Sequence, residues 1–200
     1  LKLSGAAALL PISATFDFTL YLSKNPNMFD TAIAQPADVP VLVDIINQSY
    51  RGEASKVGWT TEADLIEGDI RTDEANLREL MANERAVFIK CTSPEGLIQG
   101  CVYLEHKERG LYLGMLSVRP EAQGSGTGKR LLQAAAERAK SLKCPVVFMQ
   151  VVSERPELMD WYRRHGYELT GERKPFDGDH RFGKPRRPLE FWFMEKKIMG

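Results

Sequence analysis

Between Val118 and Leu131 the chain reads Val-Arg-Pro-Glu-Ala-Gln-Gly-Ser-Gly-Thr-Gly-Lys-Arg-Leu, with glycines at 124, 126 and 128. Alternating glycines cost backbone entropy, but side-chain-free residues let successive N–H groups converge on an anion. A helix starting there adds unpaired donors and a partial positive charge, so the segment suits a phosphate or pyrophosphate. A glycine-rich turn with no ligand is the plainer alternative. Two familiar phosphate loops fail on counting. A P-loop needs glycine and Ser or Thr where Gln123 and Arg130 stand, and a dinucleotide fingerprint needs glycine at Lys129.

The loop must be positioned by the elements around it. Leu111 to Val118 reads as an apolar strand, and Gly126 to Lys143 as a helix with Leu131, Leu132, Ala135, Ala139 and Leu142 on one stripe. Upstream, Phe29 to Ala34 is a strand candidate. A helix opens at Pro36–Val39 and runs to about Tyr50, and a turn-rich segment covers 51–59. Thr60 or Thr61 is placed to cap a short helix with Glu62 and Asp64 in its first turn. Asp73 to Asn83 reads as another helix. Ala86–Cys91 and Leu97–Glu105, with 111–118, form a three-strand meander separated by turns at 93–96 and 107–110. Beyond the loop, 145–151 is apolar enough to be buried on both faces of a sheet. Pro156 opens a helix that Gly166 closes. Strands at 167–170 and 189–195 flank a long basic segment, 171–188. The order is that of an α/β domain of three layers around a mixed sheet.

Composition narrows the function classes. Lys and Arg total 27 and Asp and Glu total 27, and this zero balance argues against a nucleic-acid partner, whose phosphates call for a basic surplus. Cys91, Cys101 and Cys144 are odd in number and lack metal-ligand spacing, so they read as free thiols of a reducing, cytoplasmic protein with no metal. No apolar run is long enough to span a membrane. Residues 1–27 read as an extension, foreign to the native chain, disordered or targeting, and 28–200 as one domain with Met28 as a plausible start.

With those two phosphate loops set aside, Gln123-x-x-Gly126-x-Gly128 after the strand and Val118-Arg119-Pro120 resembles the acyl-CoA loop of the GNAT N-acetyltransferases. Asp160-Trp161-Tyr162-Arg163-Arg164-His165-Gly166-Tyr167 resembles that family's later aromatic segment, in the same order and spacing. The resemblance spans about 29–197 and is densest over 111–171. It implies a mostly antiparallel sheet with splayed central strands, and acetyl-CoA as cofactor. Leu116, Ser117 and Val118 would bond the pantetheine arm. Gln123, Gly124, Ser125, Gly126, Thr127, Gly128 and Lys129 would take the pyrophosphate. Tyr162 would protonate the leaving thiolate. The family's asparagine seven residues before this tyrosine is replaced by Arg155, which could approach a CoA phosphate. For the base, family geometry favours Glu154 over Glu105 and Glu62. Tyr50, Arg51, Trp59 and Glu62 would meet the acceptor, a small polar amine or a peptide. Phe176, Asp177, Asp179, His180, Arg181, Arg186 and Arg187 offer a second acceptor region, or a solvated basic loop. A non-catalytic acyl-CoA-binding module is the alternative reading, and a homodimer is left open.

Overall fold

The apolar alternation along the chain produces strands that bury both faces. In the computed structural model, which describes residues 29–176 and 180–198, the elements are β1 (Asp30–Ile33), α1 (Val39–Tyr50), α2 (Gly52–Ser55), β2 (Ile66–Glu67), α3 (Glu74–Ala82), β3 (Ala86–Thr92), β4 (Ile98–Lys107), β5 (Gly110–Val118), α4 (Thr127–Ser141), β6 (Val146–Val152), α5 (Pro156–Arg164), β7 (Glu168–Pro175), β8 (Lys184–Pro185) and β9 (Glu190–Lys197). The expectations for 1–27, Asp177 and Asp179 lie outside the described residues. Seven strands form one sheet in the order β1-β3-β4-β5-β6-β9-β7. All its pairings are antiparallel except β5 with β6.

Because side chains alternate across a strand, β3 and β4 feed two cores. Ile89, Cys91, Val102 and Leu104 pack with Leu131, Leu132, Ala135 and Ala139 of α4. Phe88, Cys101 and Tyr103 pack with Val39, Leu42 and Ile46 of α1 and Leu77 of α3. The three layers follow directly. All three cysteines are buried and free. Asp73 caps α3 by accepting from the Asn76 N–H at 2.7 Å, and Gly166 ends α5 with φ of 85°. Among the described residues no helix is long and apolar enough to cross a membrane.

Two local expectations change. Residues 60–65 form a turn rather than a helix, with the Leu65 and Ile66 N–H groups both donating to the Glu62 carbonyl. Thr61 does act as a cap, but only of that turn, accepting from the Ala63 N–H. Helical continuation stops because Ile66–Glu67 pairs with Lys184–Pro185 as a separate two-stranded ribbon. The last hairpin is also longer than read, since β7 continues through exposed Glu172, Arg173 and Lys174 to Pro175. Charged side chains on an edge strand are a usual guard against further pairing, and they hid it as a loop.

Candidate active site

The central feature is a gap in the sheet. β5 and β6 pair only at Leu111–Val147 and Tyr112–Phe148, while β6 pairs with β9 along its whole length. Beyond Tyr112, β5 bends away. Between the pairs Tyr103–Gly114 and Cys101–Ser117, Val102 alone faces both Met115 and Leu116, and Met115 takes φ of 48°. An extra residue of this kind bends and twists its strand, and here it opens the splay that the family resemblance implied.

Next to the gap lies a cavity of about 630 Å³ between the glycine loop and α5, lined by Leu116, Val118, Gly124, Gly126, Lys129, Trp161 and Tyr162 among others. Gly124 and Gly126 have φ of 86° and 88°, and a Cβ on either would meet nothing within 4 Å. The cradle is thus open and glycine is required by backbone conformation. Gly126 also precedes the first residue of α4 without any side-chain cap. The Ser125 N–H donates to the Ala122 carbonyl at 3.3 Å, and the Thr127 N–H to Ser125 Oγ at 3.4 Å. Those of Gly124, Gly126, Gly128 and Lys129 find no acceptor among the described residues. Four free donors, a helix N-terminus and an exposed Lys129 fit a pyrophosphate. Gly128 has a different reason: a Cβ there would lie 3.2 Å from Trp161 Cζ2.

Several residues expected at the cofactor do other work. Arg155 is 4% exposed. Its guanidinium donates to the carbonyls of Trp59 (2.9 Å), Thr60 (3.0 Å) and Thr61 (2.9 Å), and to Glu157 Oε1 (2.5 Å). With both terminal nitrogens and Nε engaged, it clamps the 59–61 segment to α5 and is not presented to a phosphate. Gln123 does line the cavity, but its side chain accepts from the Trp59 N–H (2.9 Å) and donates to Thr60 Oγ1 (3.0 Å). Ser117 is buried and donates back to the Met115 carbonyl at 3.1 Å, so its side chain stands outside the cavity. Ser125 and Thr127 bond each other at 2.8 Å, outside its lining. The carbonyls on the gap are already engaged, Leu116 by the Tyr50 hydroxyl (2.6 Å) and Val118 by Ser49 Oγ (3.0 Å).

Adjoining it is a smaller chamber of about 100 Å³, which shares Tyr50, Leu116, Leu158 and Tyr162 with the first and adds Glu62, Arg71, Tyr112 and Gln150. Tyr162 is 5% exposed, and its hydroxyl makes no hydrogen bond among the described residues. Burial, reinforced by Tyr50 and Tyr167, holds the phenol well above its ordinary pKa. It therefore keeps its proton and faces both spaces. Tyr50 is likewise raised by burial and by the Glu62 charge.

Glu62 Oε2 accepts from Arg51 Nη1 at 2.5 Å, and the side chains are 12% and 3% exposed respectively. Its Oε1 has no partner among the described residues. Arg51 reaches neither cavity, so it is a positioning residue for Glu62. Trp59 lies at the rim, with its ring 6.0 Å from Trp161. Glu154 departs most from expectation. It sits in a bidentate ion pair with Arg187, outside either lining. That arginine's hydrogen bonds hold its carboxyl below the ordinary value, which disfavours proton uptake. Glu105 is tied to Lys107 and Tyr103 instead. Sequence reasoning missed Arg71, Tyr112 and Gln150 altogether. Of these Arg71 had a local signal, a cation directly before the Thr72-Asp73 cap of a helix, which reads as ordinary solvation.

Comparisons with known proteins agree with this architecture. Residues 83–169 match the family model described as an acetyltransferase (GNAT) domain. No curated protein sequence matches the chain. Among solved structures, a putative acetyltransferase from Salmonella typhimurium, determined with its cofactor acetyl-CoA, superposes with a TM-score of 0.64 at 18% identity, covering 86% of this chain and 95% of that one. A ribosomal-protein-alanine N-acetyltransferase from Brucella melitensis gives 0.64 at 21% identity, over 84% and 99%. A spermidine N-acetyltransferase chimera from Vibrio cholerae gives 0.64 at 15%, over 85% and 95%. At such identities the likeness is one of fold.

Proposed function

We propose that this chain, whose residues 83–169 match the GNAT acetyltransferase domain, transfers an acetyl group from acetyl-CoA to the nitrogen of a small amine. One observation carries the reading. The phosphate-suited cradle and the chamber holding Glu62 adjoin at the opening in the sheet, and Tyr162 borders both.

Bound acetyl-CoA supplies an acyl carbon activated as a thioester. The cradle N–H groups of Gly124, Gly126, Gly128 and Lys129 hold the pyrophosphate, and Lys129 adds charge at the rim. Leu116 and Val118 line the passage toward Tyr162. An amine arrives largely as ammonium and cannot attack until it loses a proton, which Glu62 Oε1 is free to accept. Arg51 fixes that carboxylate through its other oxygen. As the C–N bond forms the nitrogen gives up a second proton. This balances the one that the Tyr162 hydroxyl donates to sulfur as the C–S bond breaks. A phenol held neutral by burial is protonated over the whole physiological range and so has a proton to give as the thiolate departs. The unpaired thiols Cys91, Cys101 and Cys144 support work in a reducing compartment such as the cytoplasm.

The direct test is thiol release from acetyl-CoA against a panel of amines, alongside calorimetric binding of acetyl-CoA. Tight binding without turnover on any amine would replace this reading with that of a non-catalytic acyl-CoA-binding module. Tyr162→Phe keeps the ring packed between Trp161 and Tyr167 and removes only the hydroxyl. Its expected result is near-wild-type melting temperature and acetyl-CoA affinity, with turnover lower by at least about tenfold. Wild-type turnover in that variant, under conditions where chemistry limits the rate, would remove Tyr162 from the acid role.

A further inference from the structure

Arg71 is half-buried on the wall of the smaller chamber, yet its guanidinium makes no hydrogen bond or ion pair with the described residues. Nearby arginines differ in this. Arg51 holds Glu62, Arg155 holds three carbonyls, and Arg119 holds Asp44 and the Ile98 carbonyl. Removing a guanidinium from water without a partner is costly, so its position needs a cause. The backbone provides one. Asn47 Oδ1 accepts from the N–H groups of Arg71 (2.6 Å) and Thr72 (3.1 Å), and Asn47 Nδ2 donates to the Thr72 carbonyl (3.1 Å). Thr72 is wholly buried. The segment is thereby fixed to α1, and Arg71 is held at the chamber by its main chain rather than by a counter-ion.

The chamber therefore carries a free cation, Arg71, and a free carboxylate oxygen, Glu62 Oε1, in a space of about 100 Å³. Tyr112, Met149 and Phe191 supply apolar wall around them. Each charged group calls for its opposite in a shared occupant. We propose that the acceptor is a small zwitterion, an amine with an anionic group a few bonds away, such as an α-amino acid or a short aminoalkyl acid. Arg71 holds the anion through its planar fork of donors, and the amine lies against Glu62 Oε1. A polyamine would leave Arg71 facing a second cation, and a peptide N-terminus would bring a neutral amide where the anion belongs. This inference rests on the acetyl-transfer reading for its chemistry but not for its binding step.

The experiment has two readouts. Calorimetry measures binding of an α-amino acid, its aminoalkylphosphonate analogue, its amide and its decarboxylated amine to the full chain saturated with CoA. Thiol release from acetyl-CoA measures turnover of the same four. The two acids are expected to bind and react at least about tenfold better than the amide and amine, as a charge-assisted hydrogen bond allows. The carboxylate and phosphonate arms identify which anion fits. Arg71→Gln is expected to weaken acid binding by about tenfold to a hundredfold while changing the neutral amine far less, and Arg71→Lys recovers part of the loss. Acid-selective, Arg71-dependent binding without turnover would uphold the site and sink the transfer reading. Turnover with no preference for acids, or equal effects of Arg71→Gln on acid and neutral amines, would overturn the zwitterion and leave transfer standing. No binding and no turnover for any acid would overturn it as well.

Discussion

Glu62→Gln is expected to lower turnover by about 10²- to 10⁴-fold, the usual contribution of a positioned base, while acetyl-CoA affinity holds. The prediction separates the two cavities. Glu62 lines the smaller chamber and is absent from the lining of the larger one, so its change should not be felt by the cofactor. Glutamine keeps the shape and can still accept from Arg51, but it cannot take up a proton. Some stability is also lost, because Arg51 is nearly fully buried and its Nε already lacks a partner. Breaking a buried pair outright costs about 3–5 kcal/mol, and the amide retains part of it, so a melting temperature a few degrees lower is expected. Raising the pH increases the fraction of free amine in solution and should recover part of the lost rate. Glu154→Gln is the comparison, since that carboxylate is committed to Arg187 outside the chamber and its loss should leave the rate near wild type. Equal rates for Glu62→Gln and wild type, or equal losses in both variants, would take Glu62 out of the base role.

Gly126→Asp should weaken acetyl-CoA binding by at least about a hundredfold. A Cβ at 126 enters open space and Gly126 lines the cavity, so the new carboxylate has room beside the cradle N–H groups. Like charges at about 4 Å repel by about 1 kcal/mol in water and about 4 kcal/mol near a protein surface. A pyrophosphate doubles that burden. Two effects must be separated, because φ of 88° strains any side chain by about 1–2 kcal/mol. Gly126→Asn imposes the same strain and nearly the same volume without the charge, and is expected to lose about tenfold or less. Calorimetry on folded protein decides. Unchanged affinity in Gly126→Asp, or the same loss in both variants, would mean that the loop does not carry the pyrophosphate.

Much of this site could be read in the sequence because its signals are local. Glycines at 124 and 126 betray the cradle, since side-chain-free residues alternating at a helix start leave successive N–H groups open to one anion. The α4 stripe and the Pro156–Gly166 helix follow from periodicity and caps. What escaped depends on pairings distant in sequence. Arg155, standing where the family has asparagine, looked like a phosphate ligand, but its partners are carbonyls almost a hundred residues earlier. Glu154 looked well placed beside β6 until Arg187 claimed it. Glu62 and Arg71 carry no motif. They meet because a turn at 62–66 and the Asn47 clamp bring two unremarkable loops to one wall. The short helix expected at 60–64 failed for a related reason, as its Thr and acidic residues serve a turn and a buried ion pair.

The partial pairing of β5 with β6 divides the sheet into two plates, one running from β1 to β5 and the other made of β6, β9 and β7. They are joined edge to edge by only two residue pairs. The cradle is built on the first plate and Tyr162 on a helix following the first strand of the second. A change of angle between the plates would widen or narrow the passage along its length without breaking a ladder within either plate. The molecule thus has the mechanics of a book held at the spine, with the glycine loop on one cover and Tyr162 on the other.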